Sequence, residues 1–238
     1  MTATTLEDRL QPVQAAPMGF VNAPRVHQAL TAGIEKRLLI WLARHTPAAI
    51  GPDHLTALGL AAQIAAGLAY AFVAHDRRAL FLVDLLIVLN WLGDSLDGTL
   101  ARVRNQQRPR YGFYVDHISD TVGALALMAG LACSGLLHWP VAAGLLVCFF
   151  ALSIESYLAT YTLGRFHLSH GMQGPTEIRI LLAIGNLVAY WNPYSGILGR
   201  KLLLFDLGGS VAIASMAVMF FLVSARHTAA LYRAETIR

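Results

Sequence analysis

The chain has 238 residues, of which 56% are hydrophobic and only 13% charged, with a mean hydropathy of +0.53. A soluble domain of this length carries roughly twice that charge fraction, so the composition excludes a soluble globular protein and indicates a polytopic membrane protein. The net charge of +4 does not indicate a nucleic-acid partner, because the basic residues are scattered between apolar segments instead of forming a stripe.

Residues 1–25 mix charge, proline and small polar residues without the apolar core of a cleavable signal peptide. They read as a flexible cytoplasmic tail. Residues 26–48 then place Leu30, Ile34, Leu38 and Trp41 on one helical face, with Lys36, Arg37 and Arg44 elsewhere. Such a helix is too charged to span. It is expected to lie in the membrane interface, the other arrangement being a packing helix on the soluble side.

Apolar windows long enough to cross a bilayer fall at roughly 54–74, 79–101, 112–136, 140–163, 176–196 and 204–225. The predicted fold class is therefore all-α, with six transmembrane helices in a catalytic domain over 49–228 and a cytoplasmic tail over 229–238. Short connections make neighbouring helices antiparallel. Cys133 and Cys148 sit inside apolar runs without metal or redox spacing and read as small buried hydrophobes. Counted by connection, fourteen Lys and Arg residues fall on the side of the N-terminus and four, Arg77, Arg78, Arg200 and Lys201, on the other. The positive-inside rule puts both termini, and the connection after the second span, in the cytoplasm.

That connection carries the chemistry. Asp94, Asp97, Gly98 and Ala101 follow i, i+3, i+4, i+7 spacing and share one helix face, as do Gly112, Asp116 and Asp120 at intervals of four. Pro109 ends the helical run between them, so a helical hairpin brings both carboxylate faces to the cytoplasmic mouth. Four like charges cannot share such a site unaided. Divalent cations remove the repulsion, and Mg²⁺ or Mn²⁺ suits an all-oxygen site of this type. Gly98, Ala101 and Gly112 leave room on the same faces for a bulky polar group.

The order Asp94, Asp97-Gly98, Ala101-Arg102, nine residues, Gly112, Asp116, Asp120 resembles the signature of the CDP-alcohol phosphatidyltransferase family, D-x-x-D-G-x-x-A-R followed by G-x-x-x-D-x-x-x-D. The resemblance implies that Asp94, Asp97 and Asp116 hold two divalent metals on the pyrophosphate of a CDP-linked donor, with Asp120 beside them as general base for an acceptor hydroxyl. It implies that Gly98, Ala101, Arg102 and Gly112 line the CDP pocket, and that the chain works among membrane lipids as a homodimer. Arg102 is also a natural snorkelling anchor.

Family members transfer either a phosphatidyl group from CDP-diacylglycerol to a small polar alcohol, or a phosphoaminoalcohol from its CDP derivative to diacylglycerol. His117 after Asp116, Glu155 with Tyr157, and the stretch Gly174–Glu177 resemble the aminoalcohol branch, whereas the chain length is similar to that of the CDP-diacylglycerol enzymes. Glu155, inside the fourth span, either assists His117 in activating the acceptor or hydrogen-bonds a neighbouring helix. His117 is either a base or an interfacial histidine. Glu177 and Arg179 either meet substrate phosphate or pair with other helices. Asp84, in the outer half of the second span, is expected to make a packing contact or to pair with a residue such as Arg77. A divalent-cation transporter is the competing class, but it would require acidic groups to continue across the membrane, and the third span has none beyond Asp120.

Overall fold

The computed structural model describes residues 32–163, 175–197 and 200–235. Its helices are α1 (Ala32–His45), α2 (Pro52–Phe72), α3 (Ala79–Val103), α4 (Pro109–Cys133), α5 (Trp139–Leu163), α6 (Pro175–Trp191) and α7 (Leu204–Ala234). Strands β1 (Tyr194–Ile197) and β2 (Arg200–Leu203) pair antiparallel, Tyr194 opposite Leu203. The expectations for residues 1–31 lie outside the described residues, as does Gly174.

Helix α2 is central. Its buried residues Leu55, Gly59, Ala62, Ala66, Ala69 and Tyr70 recur at helical spacing, and most are small, so α3 and α4 both approach its backbone closely. A methyl group on Gly93 of α3 would stand 2.6 Å from the Gly59 nitrogen, and one on Gly67 or Gly130 would strike the backbone across the α2–α4 contact. Helix α3 also receives α1 and α6, α4 meets α5, and α5 meets α7.

The main apolar core fills one end of this bundle: Tyr70 and Val73 of α2, Leu80 and Val83 of α3, and Leu127 and Leu131 of α4. At the other end only a small cluster forms, in which Leu39 and Ala43 of α1 pack on Leu55, Leu96 and Leu100. The half of α4 between Pro109 and Val122 buries no side chain fully. The carboxylates of the hairpin lie at that looser end.

Among the described residues, α2, α3, α5 and α7 are long and apolar enough to cross a membrane. Helix α4 falls short because Asp116 and Asp120 lower its hydropathy, and α6 because it has 17 residues. Large apolar side chains such as Phe72, Val147 and Phe221 point outward at 68, 66 and 70% exposure, as lipid-facing helices require.

Several expectations change. The fifth segment stops at Trp191 instead of 196, because Pro193 disfavours helix at the preceding residue and cannot itself donate to the ladder; the hairpin takes up the remainder. Helix α7 continues through Ala234, so residues 229–234 are helical. On α1 the packed face is Leu39 and Ala43, while Leu38 and Trp41 stay exposed. Cys133 is exposed and Cys148 half-buried, since apolar runs here face outward as well as inward. Asp84 takes the packing option, through Asn186 of α6 (2.7 Å) and not through Arg77; Asn186 also accepts from Tyr70 of α2 (2.8 Å).

Candidate active site

The turn that joins the two carboxylate helices follows from its residues. Helix α3 ends with Asn105 in the left-handed region at φ 54°, a conformation asparagine tolerates better than most residues. Gln106 N–H then donates to Ala101 O (2.8 Å) and Asn105 N–H to Arg102 O (3.3 Å), a Schellman closure of the helix end. Pro109 opens α4 in the first turn, where its missing N–H costs nothing. Arg104 secures the turn by donating to Thr46 O (2.7 Å), Pro47 O (3.0 Å) and Ile50 O (2.7 Å) of the α1–α2 connection.

This hairpin brings Asp94, Asp97, Asp116 and Asp120 within electrostatic reach of one another. Two of the four are held by other helices. Thr56 of α2 donates to Asp97 Oδ2 (2.6 Å), and the Gly98 N–H donates to Asp97 Oδ1. Arg179 of α6 donates to Asp94 Oδ2 (2.6 Å) through Nη2 and to Asn90 Oδ1 (2.9 Å) through Nε. Asn90 in turn donates to Gly59 O (3.0 Å) and Gln63 Oε1 (3.3 Å) of α2. Arg179 is also the positive charge that acts on Asp120.

The small residues divide by role. A methyl on Gly112 would meet nothing within 4 Å, and one on Gly98 only the Arg102 guanidinium at 3.5 Å. Both positions border open space and not packed backbone. Arg102 donates to Thr99 Oγ1 (2.9 Å), and Ala101 is half-buried on the same helix. At the rim, a cleft of about 420 Å³ is lined by Pro52, Asp53, Gln106, Gln107 and Arg108. Arg108 pairs with Asp53 and lies over the Tyr111 ring at 4.2 Å; the Asp53 carboxylate pushes its already high pKa up further.

His117 Nδ1 donates to Phe113 O (2.6 Å), and its ring packs against Phe113 (4.2 Å) and edge-on to Tyr157 of α5 (4.8 Å). Tyr157 also lies within electrostatic reach of Asp116 and Asp120. Glu155 is two residues away and so projects from the opposite side of α5. There it bonds His227 Nδ1 of α7 at 2.6 Å. Glu155 thus makes a contact with a neighbouring helix, and Arg179 pairs across helices with Asp94.

Sequence reasoning passed over Thr56 and Asn90. Asn90 had a signal: a polar residue in an apolar run, four positions before Asp94 and so on its face. Thr56, with a hydroxyl typical of any span, had none.

Among the described residues, no three His, Cys, Asp or Glu side chains are gathered tightly enough to hold a metal ion as they stand. The donor set nevertheless fits a hard divalent cation: four carboxylates from two helices, all oxygen, with one guanidinium acting among them.

The family model for CDP-alcohol phosphatidyltransferase matches residues 49–223, well over half of the chain and including every residue of the carboxylate hairpin. No curated protein matches the chain significantly. With its outward apolar helices and this match, the protein is an integral membrane transferase of phospholipid biosynthesis, which sets aside the cation-transporter alternative. The chain belongs to the CDP-alcohol phosphatidyltransferase family.

Proposed function

We propose that this protein transfers a substituted phosphate group from a CDP-linked donor to an alcohol hydroxyl, with release of CMP. The observation that carries this reading is the convergence of Asp94, Asp97, Asp116 and Asp120 from α3 and α4 beside open space at Gly98 and Gly112. Asp94, Asp97 and Asp116 hold two divalent ions, Mg²⁺ or Mn²⁺, as is general in the family, with Asp120 adjoining them. Ions bound there supply positive charge for the donor pyrophosphate and for the departing CMP.

The chain's own residues do the rest. Gly98, Ala101, Arg102 and Gly112 line the space for the CDP half, and the cleft beside Gln106 and Arg108 lies at its entrance. Asp120 takes the proton of the acceptor hydroxyl, whose oxygen forms the new bond to phosphorus as the bond to CMP breaks. Positioning and charge stabilisation suffice for such a displacement. His117, fastened to Phe113 O and Tyr157, orients the acceptor side of the pocket.

In this reading α2 to α7 are six spans, the hairpin faces the cytoplasm and both termini lie on that side. Arg102, Arg104, Arg108 and Arg110 around the turn support this orientation. In that orientation α1 lies along the interface with Leu38 and Trp41 toward lipid.

The test is CMP release by the purified protein in detergent with Mg²⁺. CDP-diacylglycerol is offered with a panel of small polar alcohols, and CDP-choline or CDP-ethanolamine with diacylglycerol. Release with one donor class and its loss in Asp120→Asn is the expected result. The donor class then names the direction of transfer. Equal release by wild type and Asp120→Asn with every donor would overturn the assignment of the site.

A further inference from the structure

We propose that Arg179 is the resident counter-charge of the carboxylate site and that it yields Asp94 when a divalent ion binds. This rests on the reading of the aspartates as metal ligands and adds to it a residue outside the hairpin.

The geometry is specific. Arg179 enters from α6, 85 positions along the chain from Asp94, and its guanidinium is largely buried, with a side-chain exposure of 16% against 27% for Asp94. A single anchor, Asn90, takes its Nε–H, and Asn90 is itself fixed to Gly59 and Gln63. The fork is therefore held at one side while its Nη2 occupies Asp94 Oδ2. A cluster of four carboxylates in a half-buried setting must have compensating charge in any state, and Arg179 provides it on this face.

A guanidinium on Asp94 Oδ2 competes with a divalent ion for that carboxylate, because both draw on its oxygens and the two positive charges repel at such short range. The described aspartates are not drawn together into a ligand set, and one of them is held by Arg179 of α6. An ion bound at Asp94 therefore favours release of Oδ2 by the guanidinium, which stays tethered to Asn90 through Nε. The arginine thus lowers the affinity for metal while keeping the metal-free protein folded.

The experiment uses the full chain in detergent, with thermal stability read by size-exclusion survival in EDTA and across a Mg²⁺ titration. It compares wild type, Arg179→Gln and Arg179→Lys. Arg179→Gln is expected to melt lower than wild type in EDTA, to recover most of that deficit in saturating Mg²⁺, and to reach half its stabilisation at severalfold lower Mg²⁺. Arg179→Lys should fall between the two. If Arg179→Gln does not survive purification without Mg²⁺ but does with it, the exchange is supported in the same sense. A deficit equal in EDTA and in Mg²⁺, or a half-point at higher Mg²⁺, would show that Arg179 only braces α6 or orients Asp94, and would overturn the proposal while leaving the metal site standing. If Mg²⁺ does not stabilise wild type at all, both the exchange and the metal reading fall.

Discussion

The Thr56 hydroxyl donates to Asp97 Oδ2 at 2.6 Å across 41 positions of sequence, in preference to the more distant Pro52 O at 3.2 Å, since its single proton serves one acceptor. A carboxylate in the C-terminal half of α3 is thereby aimed by the first turns of α2. Removing the hydroxyl while keeping the shape tests that aim. Thr56→Val is expected to reduce CMP release about tenfold or more, the scale of one hydrogen bond to a charged group, with a change of less than about 1 kcal/mol in stability. Thr56→Ser should retain most activity. Steady-state kinetics with thermal melts on the same preparations check both.

Gly93 and Gly112 are expected to fail in different ways. A methyl at Gly93 would stand 2.6 Å from the Gly59 nitrogen, so Gly93→Ala must push α3 away from α2. Overpacking of this kind costs about 1–3 kcal/mol, and a lowered melting temperature should accompany the loss of activity. A methyl at Gly112 has nothing within 4 Å. Gly112→Ala should melt like wild type and instead raise KM for the CDP donor, which is the result if that open space is the donor's.

The chain Tyr70–Asn186–Asp84 is a structural pin far from the hairpin, joining α2, α6 and α3. Tyr70→Phe removes one bond and is expected to cost about 0.6–1.7 kcal/mol. Asn186→Leu strands two partners and should cost more. In both variants the CMP release per folded molecule should match wild type. A selective loss of activity at unchanged stability would instead place this chain in the catalytic machinery.

Glu155 and His227 bond each other at 2.6 Å between α5 and α7. If that contact is the purpose of the carboxylate, Glu155→Gln and His227→Gln should lower the melting temperature to a similar degree and leave the activity of the surviving protein within about threefold of wild type. General acid–base roles are worth about 10²–10⁴-fold, so a loss on that scale in Glu155→Gln alone would restore the catalytic reading of this residue.

The local part of the site was legible because it is governed by periodicity. Spacings of three and four put Asp94 with Asp97, and Asp116 with Asp120, on single helix faces whatever surrounds them. Pro109 marked the break between the two helices, although α3 already closes at Asn105 and Pro109 opens α4 instead of ending the run before it. The run of apolar residues likewise identified spans from length alone, though Asp116 and Asp120 dilute α4, and Pro193 shortens α6 in favour of a hairpin.

By itself, the sequence determined the membrane setting, the two carboxylate faces, the turn between them and the family to which they belong. The tertiary structure alone decided which side chains meet those faces. Thr56 reaches Asp97, Arg179 reaches Asp94, and Glu155 meets His227. Each pairing depends on how far a helix is rotated about its axis and how near it stands to its neighbour. Those two quantities are set by small residues such as Gly59, Gly67, Gly93 and Gly130 meeting across helices, contacts between residues tens of positions apart that no local pattern encodes.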